Sequence, residues 1–386
     1  MKRAGNLFPI LISDSNLSMA IREVNRTHHW HTHHRPNACT AWVEETMPER
    51  VEELRKIITE GFEPKPPKVT QRWDMSASKW RTVCEPAQWP DQYVHHALIQ
   101  VLHKTMMRGM DNLCCGSIKG KGPHYARKAI ASWMKKDVRG TKYEFTADIR
   151  HFYDSLKQEI VMDRMKHLIK DHMVLDLTER IVAEGVLIGA YTSQWFANTV
   201  LQPLDVLIRQ SGLCKHYVRY MDNLTIFGSN KRNLRKLKEL IKDWLASHGL
   251  ELKCDWQIFP VPLQDTGTKQ RLPDAVGYRY GRSFTIPRKK NYFRLKRSMA
   301  RYRRRKRNGS PVTYGMAGSI LSRLGQLKHC NNANFYKNLF RGKKVMKELK
   351  GIQRQAQRKE ELTWNTYLEH RRTSKSLKQK VAPILT

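Results

Sequence analysis

Apolar residues recur along this chain at two spacings, and each spacing predicts a different kind of element. From 216 to 228, apolar runs lie on both sides of a single carboxylate, Asp222. Such runs predict two short strands joined by a tight turn, which we expect at Asp222 and Asn223. A matching strand is predicted over 143–149, where Asp148 follows an alternating stretch. The two carboxylates are therefore carried on two different strands.

The remaining elements follow from the same two spacings. Alternating stretches predict a hairpin over 69–85 and strands over 250–259 and 275–286. Apolar residues three and four apart predict helices. These helices are expected at 1–27, 48–61, around 94–102, 124–136, 157–170, 173–184, 192–209, 230–248, 315–328 and 331–340. The segment 343–386 is basic and polar, and we expect it to be extended or loosely helical.

The composition is that of a globular protein. The chain has 386 residues, enough for two or three subdomains, and 40% of them are hydrophobic. Seven cysteines are scattered without a C-x-x-C pair, which indicates reduced thiols and a cytoplasmic protein. No stretch approaches the roughly 20 apolar residues of a membrane span. We therefore expect no membrane partner.

A large excess of positive charge points to a polyanionic partner. The 71 basic and 35 acidic residues give a formal net charge of +36. A ribosome-like structural protein is the alternative, although such proteins rarely carry paired buried carboxylates. From 288 to 307 there are 12 Lys or Arg and no acid, with apolar residues at helical spacing. This favours a packed helix that binds a phosphate backbone over a disordered tail. Including the Gly-rich loop at 116–123, the expected nucleic-acid contacts are Lys119, Lys121, Arg288, Lys289, Lys290, Arg294, Arg297 and Arg301.

Asp148 and Asp222 form the candidate catalytic centre. Two carboxylates from neighbouring strands can hold a pair of Mg²⁺ ions about 4 Å apart, as phosphoryl transfer from a nucleoside triphosphate requires. Lys79 and Arg81 are two residues apart and share a strand face, so they could bind the triphosphate, although an ordinary solvated face is the alternative. The five histidines between 28 and 34 invite a metal interpretation. An RNA-facing loop is favoured because no Cys or carboxylate pattern completes a site.

At this point the chain resembles a reverse transcriptase over residues 1–340. The resemblance follows the family's motif order. Lys79 and Arg81 match the residues that hold the triphosphate, Asp148 the first catalytic aspartate, and Tyr153 the steric gate. The segment from Gly189 to Gln194 resembles the dNTP-binding motif, 220–223 the YxDD box, Lys253 a basic residue near the triphosphate, and 277–278 the primer grip. Ile188 with Gly189, and Ser193 with Gln194, resemble bacterial enzymes of the diversity-generating retroelement group and the defence-associated unknown groups.

The resemblance implies an α+β right-hand polymerase fold. The limits it suggests are an N-terminal helical extension at 1–68, fingers at 69–141, a palm with an antiparallel sheet at 142–287 that includes finger helices at 157–184, a helical thumb at 288–342 and a basic tail at 343–386. It also implies two Mg²⁺ ions, with Mn²⁺ as a substitute, held by Asp148, Asp222 and the Ile149 carbonyl. Asn223 departs from the family, which usually has a second Asp there.

Three functions remain open from the sequence. The first is cDNA synthesis in a bacterial, cytoplasmic anti-phage system with a structured noncoding RNA. The second is mutagenic cDNA synthesis by a diversity-generating retroelement. The third is an inactive nucleic-acid scaffold, because Asn223 supplies a neutral oxygen in place of a charged one. The expected partners are template RNA, cDNA and dNTPs, with a second polymerase subunit, a second copy or a small accessory protein as further candidates.

Overall fold

The computed structural model describes residues 2–31, 35–74, 79–265, 271–331 and 344–381. The helices are α1 (Phe8–Leu11), α2 (Asp14–His28), α3 (Ala38–Glu45), α4 (Met47–Glu60), α5 (Tyr93–Arg108), α6 (Pro123–Lys136), α7 (Phe152–Ser155), α8 (Gln158–Leu168), α9 (His172–Ile181), α10 (Tyr191–Val200), α11 (Gln202–Gln210), α12 (Lys231–Ser247), α13 (Lys289–Arg307), α14 (Tyr314–Leu327) and α15 (Lys344–Val381). The strands are β1 (Lys68–Asp74), β2 (Lys79–Glu85), β3 (Tyr143–Asp148), β4 (His216–Tyr220), β5 (Asn223–Gly228), β6 (Gln257–Pro260), β7 (Asp274–Ala275), β8 (Tyr278–Tyr280) and β9 (Thr285–Pro287). The predicted α+β class is confirmed.

The chain divides into two compact units. The first unit contains Met1–Arg26, Val43–Val276 and Gly281–Ser283. The second contains Thr27–Trp42, Gly277–Tyr280 and Phe284–Thr386. The regions expected as thumb and tail therefore belong to one unit, and part of the expected N-terminal extension belongs to it as well. The detailed limits of fingers, palm and thumb stay predictions.

The first unit is built around an antiparallel sheet with strand order β4-β5-β3-β6. Its middle strands bury Phe145 on β3 and Ile226 on β5 completely. Helix α12 packs against β5 and β6, and α6 packs against β4. The amphipathic pattern explains the position of α12, because four apolar residues on its inward face are buried: Leu234, Leu237, Ile241 and Leu245. The packing of these buried apolar residues fixes the position of the sheet and of its edge.

The second unit is a helical assembly with its own core. Helix α14 packs against both α13 and α15. The core they share consists of Leu295, Met299, Tyr302, Ala317, Ile320, Leu324, Leu327 and Leu349. The predicted basic helix is confirmed as α13, whose Leu295, Met299 and Tyr302 face this core while most of its cations remain exposed. The segment expected to be extended or loosely helical forms the 38-residue helix α15.

The histidine-rich segment packs within the second unit. His29 stacks on Trp364 of α15 at 4.6 Å between ring centroids, and Trp30 approaches the same ring edge-on at 5.9 Å. His33 and His34 lie outside the described residues. In the part of the chain that the structure describes, no group of three or more His, Cys, Asp or Glu is arranged to hold a metal. Of the described histidines in this segment, His29 therefore packs in the second unit, whereas His31 is exposed.

Three predicted elements need correction. The helix expected over 192–209 is two helices that meet at Leu201, because Pro203 lacks the N–H that a continuous helix requires. The strand expected over 250–259 is reduced to β6, preceded by an isolated bridge between Ile149 and Leu252. In place of the strand expected over 275–286, the chain forms the three short strands β7, β8 and β9. The helix expected at 331–340 lies outside the described residues, apart from Asn331.

None of the helices in the described ranges combines the length and apolarity needed to cross a bilayer.

Candidate active site

Strand pairing brings the two predicted catalytic carboxylates to one edge of the sheet. Asp148, the last residue of β3, lies opposite Asn223, the first residue of β5. Partners in an antiparallel ladder lie about 5 Å apart at Cα. The backbone N–H of Ile149 donates to the carbonyl of Asp222 at 3.3 Å. Asp148, Asp222 and Asn223 are therefore neighbours, as the sequence predicts.

The turn between β4 and β5 lies one residue earlier than predicted. Tyr220 pairs with Asn223, so the two turn residues are Met221 and Asp222. Met221 has φ +57, in the left-handed region. Asn223 is thus a strand residue, and its side-chain amide donates to Asp222 Oδ1 at 3.2 Å. Asn223, which stands where the resembled family usually has Asp, therefore has Asp222 as its hydrogen-bond partner.

A neighbouring glycine allows the turn to adopt this position. A Cβ on Gly116 would lie 2.5 Å from Met221 Sδ and 2.7 Å from the Met221 backbone nitrogen. No side chain fits in that space. Asn198 Nδ2 donates to the Gly116 carbonyl at 2.9 Å, which anchors the loop against α10. The loop before α6 therefore supports the catalytic turn from one side.

A buried ion pair supports the turn from beneath. Arg219 on β4 is fully buried and makes a bidentate contact with Asp205 of α11, with Nε–Oδ1 2.8 Å and Nη2–Oδ2 2.7 Å. Its Nη1 also donates to Asn198 Oδ1 at 2.9 Å and to the Met221 carbonyl at 3.0 Å. Burial opposes the charged form, but the Asp205 carboxylate raises the pKa of Arg219 above its usual value. The guanidinium thus remains charged and fixes the turn carbonyl.

The sequence interpretation missed this support. Arg219 is the single permanent charge inside the apolar strand 216–220, and a buried charge requires a counter-charge. That signal predicts a partner without identifying it. Asp205 is 14 residues away in the chain and reaches Arg219 only through the packing of α11. Gly116, at the start of the Gly-rich loop, could have been suspected of a close backbone approach.

The electrostatics around Asp222 connect several predicted residues. Burial raises the pKa of Asp222, while the Asn223 amide and the charges of Arg81 and Arg219 act in the opposite direction. Burial and the Asp222 charge raise the pKa of Tyr153. Arg81 and Tyr153 are therefore within electrostatic reach of the turn. Tyr153 remains a neutral phenol at ordinary pH.

The cations expected at the triphosphate occupy different environments. On β2, Arg81 Nε contacts Asp74 Oδ2 at 2.7 Å, whereas Lys79 is exposed at the end of the strand. The ammonium of Lys253 contacts Asp255, and this contact, together with a weaker influence of Asp148, raises the pKa of Lys253. The backbone N–H of Lys253 donates to the Asp148 carbonyl at 2.9 Å. Lys253 therefore lies at the same sheet edge as Asp148 although it is not on a strand.

The predicted nucleotide-binding motif is only partly assembled. A cavity of about 450 Å³ is lined by Tyr153 and Ile188, together with Thr82 and Cys84 of β2. Ser193 is buried and donates to the Leu187 carbonyl at 2.6 Å, while Gln194 is exposed, and neither lines this cavity. Their predicted role in nucleotide binding stays a prediction.

Gly189 serves a packing purpose that differs from the expected one. The sequence suggests that it lets a ligand approach the backbone. In the structure, a Cβ at Gly189 would lie 2.8 Å from the Cys84 carbonyl oxygen, and the Ile188 carbonyl accepts from the Cys84 N–H at 2.7 Å. The segment that approaches the Gly189 backbone closely is therefore strand β2. Because φ is +120, a side chain would also be strained there.

The predicted nucleic-acid contacts are mostly exposed. Lys119 is exposed, whereas Lys121 Nζ donates to the Asn112 carbonyl at 2.8 Å and so also holds its own loop. In the second unit, the exposed cations at the start of α13 and on its outer face are Arg288, Lys289, Lys290, Arg297 and Arg301. Arg294 is half-buried. Binding by these side chains stays a prediction.

The oxygen donors at the sheet edge suit a hard divalent cation. Asp148 and Asp222 supply two carboxylates, and the Ile149 backbone is adjacent. Mg²⁺ prefers oxygen ligands and is often held by one or two carboxylates plus substrate phosphates. The edge therefore fits Mg²⁺ as part of a substrate complex, and Mn²⁺ takes the same ligand type.

About half of the chain matches a known protein family. Residues 65–255 match the family described as "Reverse transcriptase (RNA-dependent DNA polymerase)". No curated protein is significantly similar in sequence to this chain. Among solved structures, an apo telomerase from Candida tropicalis, truncated from its C-terminal domain, is 13% identical with TM-score 0.43, and the alignment covers 60% of this chain and 58% of that one. Telomerase from Candida albicans with a TWJ fragment of telomeric RNA is 13% identical with TM-score 0.41, covering 75% and 57%.

The matched region contains the hairpin of β1 and β2, the cavity beside Tyr153 and the edge with Asp148 and Asp222. Family and site therefore point to the same chemistry. Residues 65–255 therefore match the reverse transcriptase family, which is described as an RNA-dependent DNA polymerase, over the part of the chain that contains the candidate site.

Proposed function

We propose that this chain makes cDNA on an RNA template by nucleotidyl transfer at the Asp148–Asp222 edge, with Mg²⁺ as the metal. The observation that carries the proposal is the β3–β5 register, which sets Asp148 directly beside the turn that bears Asp222. Two carboxylates from separate strands at one sheet edge are what a metal-dependent polymerase needs.

The residues would divide the work as follows. Asp148 and Asp222 would hold the metal. When bound there, Mg²⁺ neutralises charge on the triphosphate and lowers the pKa of the primer hydroxyl. Arg81, whose charge already acts on Asp222, would exchange part of its contact with Asp74 for the triphosphate. Tyr153 would exclude a ribose 2′-hydroxyl by its bulk.

Template-directed synthesis by the purified chain tests this proposal. We expect incorporation of dNTPs on an RNA template with a DNA primer, loss of incorporation on chelation of divalent ions, and recovery with Mg²⁺. Tyr153→Ala should admit ribonucleotides, since it removes the ring beside the cavity. An absence of Mg²⁺-dependent synthesis on every template and primer would contradict the proposal.

A biological role in anti-phage defence is proposed for the bacterial cytoplasm, with a structured noncoding RNA as template and scaffold. Its support is the net charge of +36 and the exposed cations of α13. Purification at moderate salt should recover a discrete RNA, and cells carrying Asp222→Ala should lose protection against phage. Recovery of protein free of nucleic acid would count against the RNA partner.

A second candidate is a catalytically silent scaffold, which Asn223 favours because an amide lacks the charge of the usual carboxylate. The contact from Asn223 Nδ2 to Asp222 Oδ1 favours an active enzyme, since the amide orients the metal carboxylate. Asn223→Asp replaces this donor with a second charge and cannot donate when ionised. Primer extension over a Mg²⁺ series separates the cases. An active enzyme extends primers as wild type and should retain or increase dNTP incorporation in Asn223→Asp, because the change adds a second charge beside the ion; incorporation falls only if the hydrogen bond donated by Asn223 is required. A silent scaffold gives no extension as wild type.

A further inference from the structure

The first unit contains a second cavity, which is distinct from the one beside Tyr153. Its volume is about 240 Å³, and it is bounded by the connector before β1, the segment that leads into α5 and the end of α9. It shares Ala183, Glu184 and Leu187 with the larger cavity. Neither Tyr153 nor a catalytic carboxylate is among its described lining residues. The proposed reaction therefore leaves this cavity without a role.

A buried carboxylate in the wall of this cavity lacks a full set of partners. Asp91 is only 1% exposed. Its Oδ2 accepts from the backbone N–H of Lys65 at 2.8 Å, whereas Oδ1 has no hydrogen-bond partner among the residues that the structure describes. Burial raises the pKa of Asp91, and the Lys65 N–H opposes this rise. A donor that reached Oδ1 would stabilise the charged carboxylate, so the cavity favours a ligand with N–H groups.

A neutral imidazole lines the same cavity. His95 is buried, and burial lowers its pKa to about 3. Its Nδ1 lies 3.2 Å from Thr192 Oγ1, which holds the ring in place. A neutral imidazole has one donor and one acceptor nitrogen. Asp91 and His95 therefore offer a ligand one charged acceptor and one uncharged polar ring.

The rest of the wall suits a compact, flat ring. The cavity is smaller than the roughly 300–1,000 Å³ of pockets that enclose drug-sized ligands. Most of its other lining residues are apolar, and these include Pro64, Pro66, Pro67, Pro86, Ile181 and Leu187. A single heterocycle with N–H groups along one edge matches this combination of volume, apolar wall and buried acceptor.

The charges around the cavity favour an uncharged ligand over a cation. Lys65 and Arg180 line the cavity together with Asp91 and Glu184, so the formal charges of the wall cancel. Arg180 Nε is already in contact with Asp176 Oδ2 at 2.9 Å. Within the described ranges, no group of three or more His, Cys, Asp or Glu is arranged to hold a metal. A neutral heterocycle therefore fits better than a metal ion or an ammonium group.

Among the nucleobases, guanine has the edge that matches a carboxylate. Its ring N1–H and its exocyclic amino group are neighbouring donors, and an ionised carboxylate is an acceptor only. Adenine and cytosine place a ring acceptor beside the amino group, and uracil has a single N–H between two carbonyls. These acceptors would face the carboxylate oxygens unfavourably.

We propose that this cavity is a binding site for a guanine base, which donates its N1–H and amino group to Asp91 while its ring lies against the prolines. Because Asp91 is almost completely covered, the connector at 64–67 shifts as the ring enters. The Lys65 N–H remains on Oδ2, and the incoming donors satisfy Oδ1.

The test measures binding of nucleosides to the full chain by isothermal titration calorimetry, with divalent ions chelated. Guanosine should bind saturably, and adenosine, cytidine and uridine should bind at least about tenfold more weakly. Asp91→Asn should weaken guanosine binding about 10- to 150-fold, as expected when a hydrogen bond to a charged group is lost. The same variant should gain affinity for xanthosine, which has a carbonyl where guanosine has the amino group, because the new amide donates to that carbonyl.

Two control variants make the result specific. Asp163→Asn makes the same chemical change at an exposed acid of the same unit and should leave the affinities for guanosine and xanthosine as in wild type. Asp222→Ala should leave guanosine binding unchanged, because Asp222 does not line this cavity. The gain of xanthosine binding in Asp91→Asn also shows that the variant is folded, since an unfolded chain would bind neither nucleoside.

GMP identifies the source of the base. Affinity for GMP no higher than that for guanosine would assign a free base or nucleoside to the site, and tighter binding of GMP would assign a nucleotide; both results support the guanine site. Absence of saturable guanosine binding up to about 1 mM would overturn the proposal. Equal binding of all four nucleosides, or unchanged guanosine affinity in Asp91→Asn, would overturn it too. Because the titration contains neither Mg²⁺ nor template, its outcome does not depend on dNTP incorporation.

Discussion

The catalytic turn and the β1–β2 hairpin show opposite ways of holding functional side chains. The turn at Met221 and Asp222 is braced by buried groups: a bidentate ion pair, a glycine contact and a four-stranded sheet. The β1–β2 hairpin exposes Trp73 and Trp80, and its ion pairs, Arg72–Glu85 and Arg81–Asp74, are partly exposed. Metal ligands need a fixed geometry before substrate arrives, whereas exposed side chains on a hairpin can change their contacts when substrate binds.

This contrast predicts different consequences for mutations in the two regions. Changes behind the turn should lower the free energy of unfolding and activity together, because buried charges and tight contacts are lost. Changes in the hairpin should alter substrate binding while stability remains close to that of wild type. The predictions below proceed from the largest expected effect to the smallest.

Breaking the buried ion pair should have the largest effect. Asp205→Asn leaves the Arg219 charge buried without its carboxylate, which should lower the free energy of unfolding by about 3–5 kcal/mol. Asp176→Asn makes the same change in the exposed pair with Arg180 and should cost less than about 1 kcal/mol. Denaturant unfolding of both variants measures the difference. Equal losses of unfolding free energy in the two variants would contradict the distinction between the buried ion pair behind the turn and ion pairs at the surface.

A buried acid on β3 offers a pH-dependent test of how dry the sheet is. Glu144 is fully buried, and burial raises its pKa from 4.5 to about 8, with Arg271 opposing and Asp274 adding to the shift. The neutral acid therefore stabilises the fold fully below its unfolded pKa, and that stability is lost as pH rises through about 8.

Glu144→Gln keeps the neutral shape and removes the titration. The variant should match wild type below about pH 4.5, where Glu144 is protonated in both the folded and the unfolded chain, and become more stable than wild type as pH rises to about 8, by a margin of the order of a few kcal/mol. Thermal unfolding across this range checks the prediction, with the exposed Glu179→Gln as the control. Parallel pH profiles for wild type and Glu144→Gln would show that the sheet is wetter than the structure indicates.

The glycine contact should matter for the turn specifically. Gly116→Ala places a methyl group against Met221, so the turn must shift; we expect a loss of about 1–3 kcal/mol and a clear fall in kcat. Gly315→Ala is the control, since no atom lies within 4 Å of its added Cβ. Normal kcat in Gly116→Ala would show that the turn tolerates displacement.

The hairpin should respond in binding and not in stability. Arg81→Ala removes the charge that acts on Asp222 and Tyr153, and should raise the KM for dNTPs about tenfold with a stability change below about 1 kcal/mol. Arg72→Ala, directly across the hairpin and paired with Glu85, is the matched control. Steady-state kinetics measures the KM for dNTPs in both variants. An equal rise in KM would show that any positive charge on the hairpin has this effect and that Arg81 has no specific role.

How much the sequence predicted can be seen at the same two regions. Apolar runs around Asp148 and Asp222 were enough to predict the paired strands, because burial on both sides of a lone carboxylate is a strong local signal. The turn position was wrong by one residue, since it depends on the left-handed backbone at Met221 and on space beside Gly116. Local pattern carries little information about such contacts.

Longer-range features could not be read from the pattern. The partner of Arg219 lies on another helix, and the break before Pro203 was masked by continuous amphipathic spacing. The C-terminal segment looked too polar to pack, yet α15 buries Leu349 and Trp364 through contacts distant in sequence. These features depend on which surfaces meet, and only the folded chain shows that.

The most direct test of the account is primer extension on an RNA template by Asp222→Ala over a series of Mg²⁺ concentrations. Asp163→Ala, a change at an exposed acid of the same unit, is the control. We predict no extension by Asp222→Ala at any Mg²⁺ concentration and wild-type extension by the control, because no neighbour replaces the lost metal carboxylate. Undiminished synthesis by a folded Asp222→Ala protein would contradict the assignment of the active site.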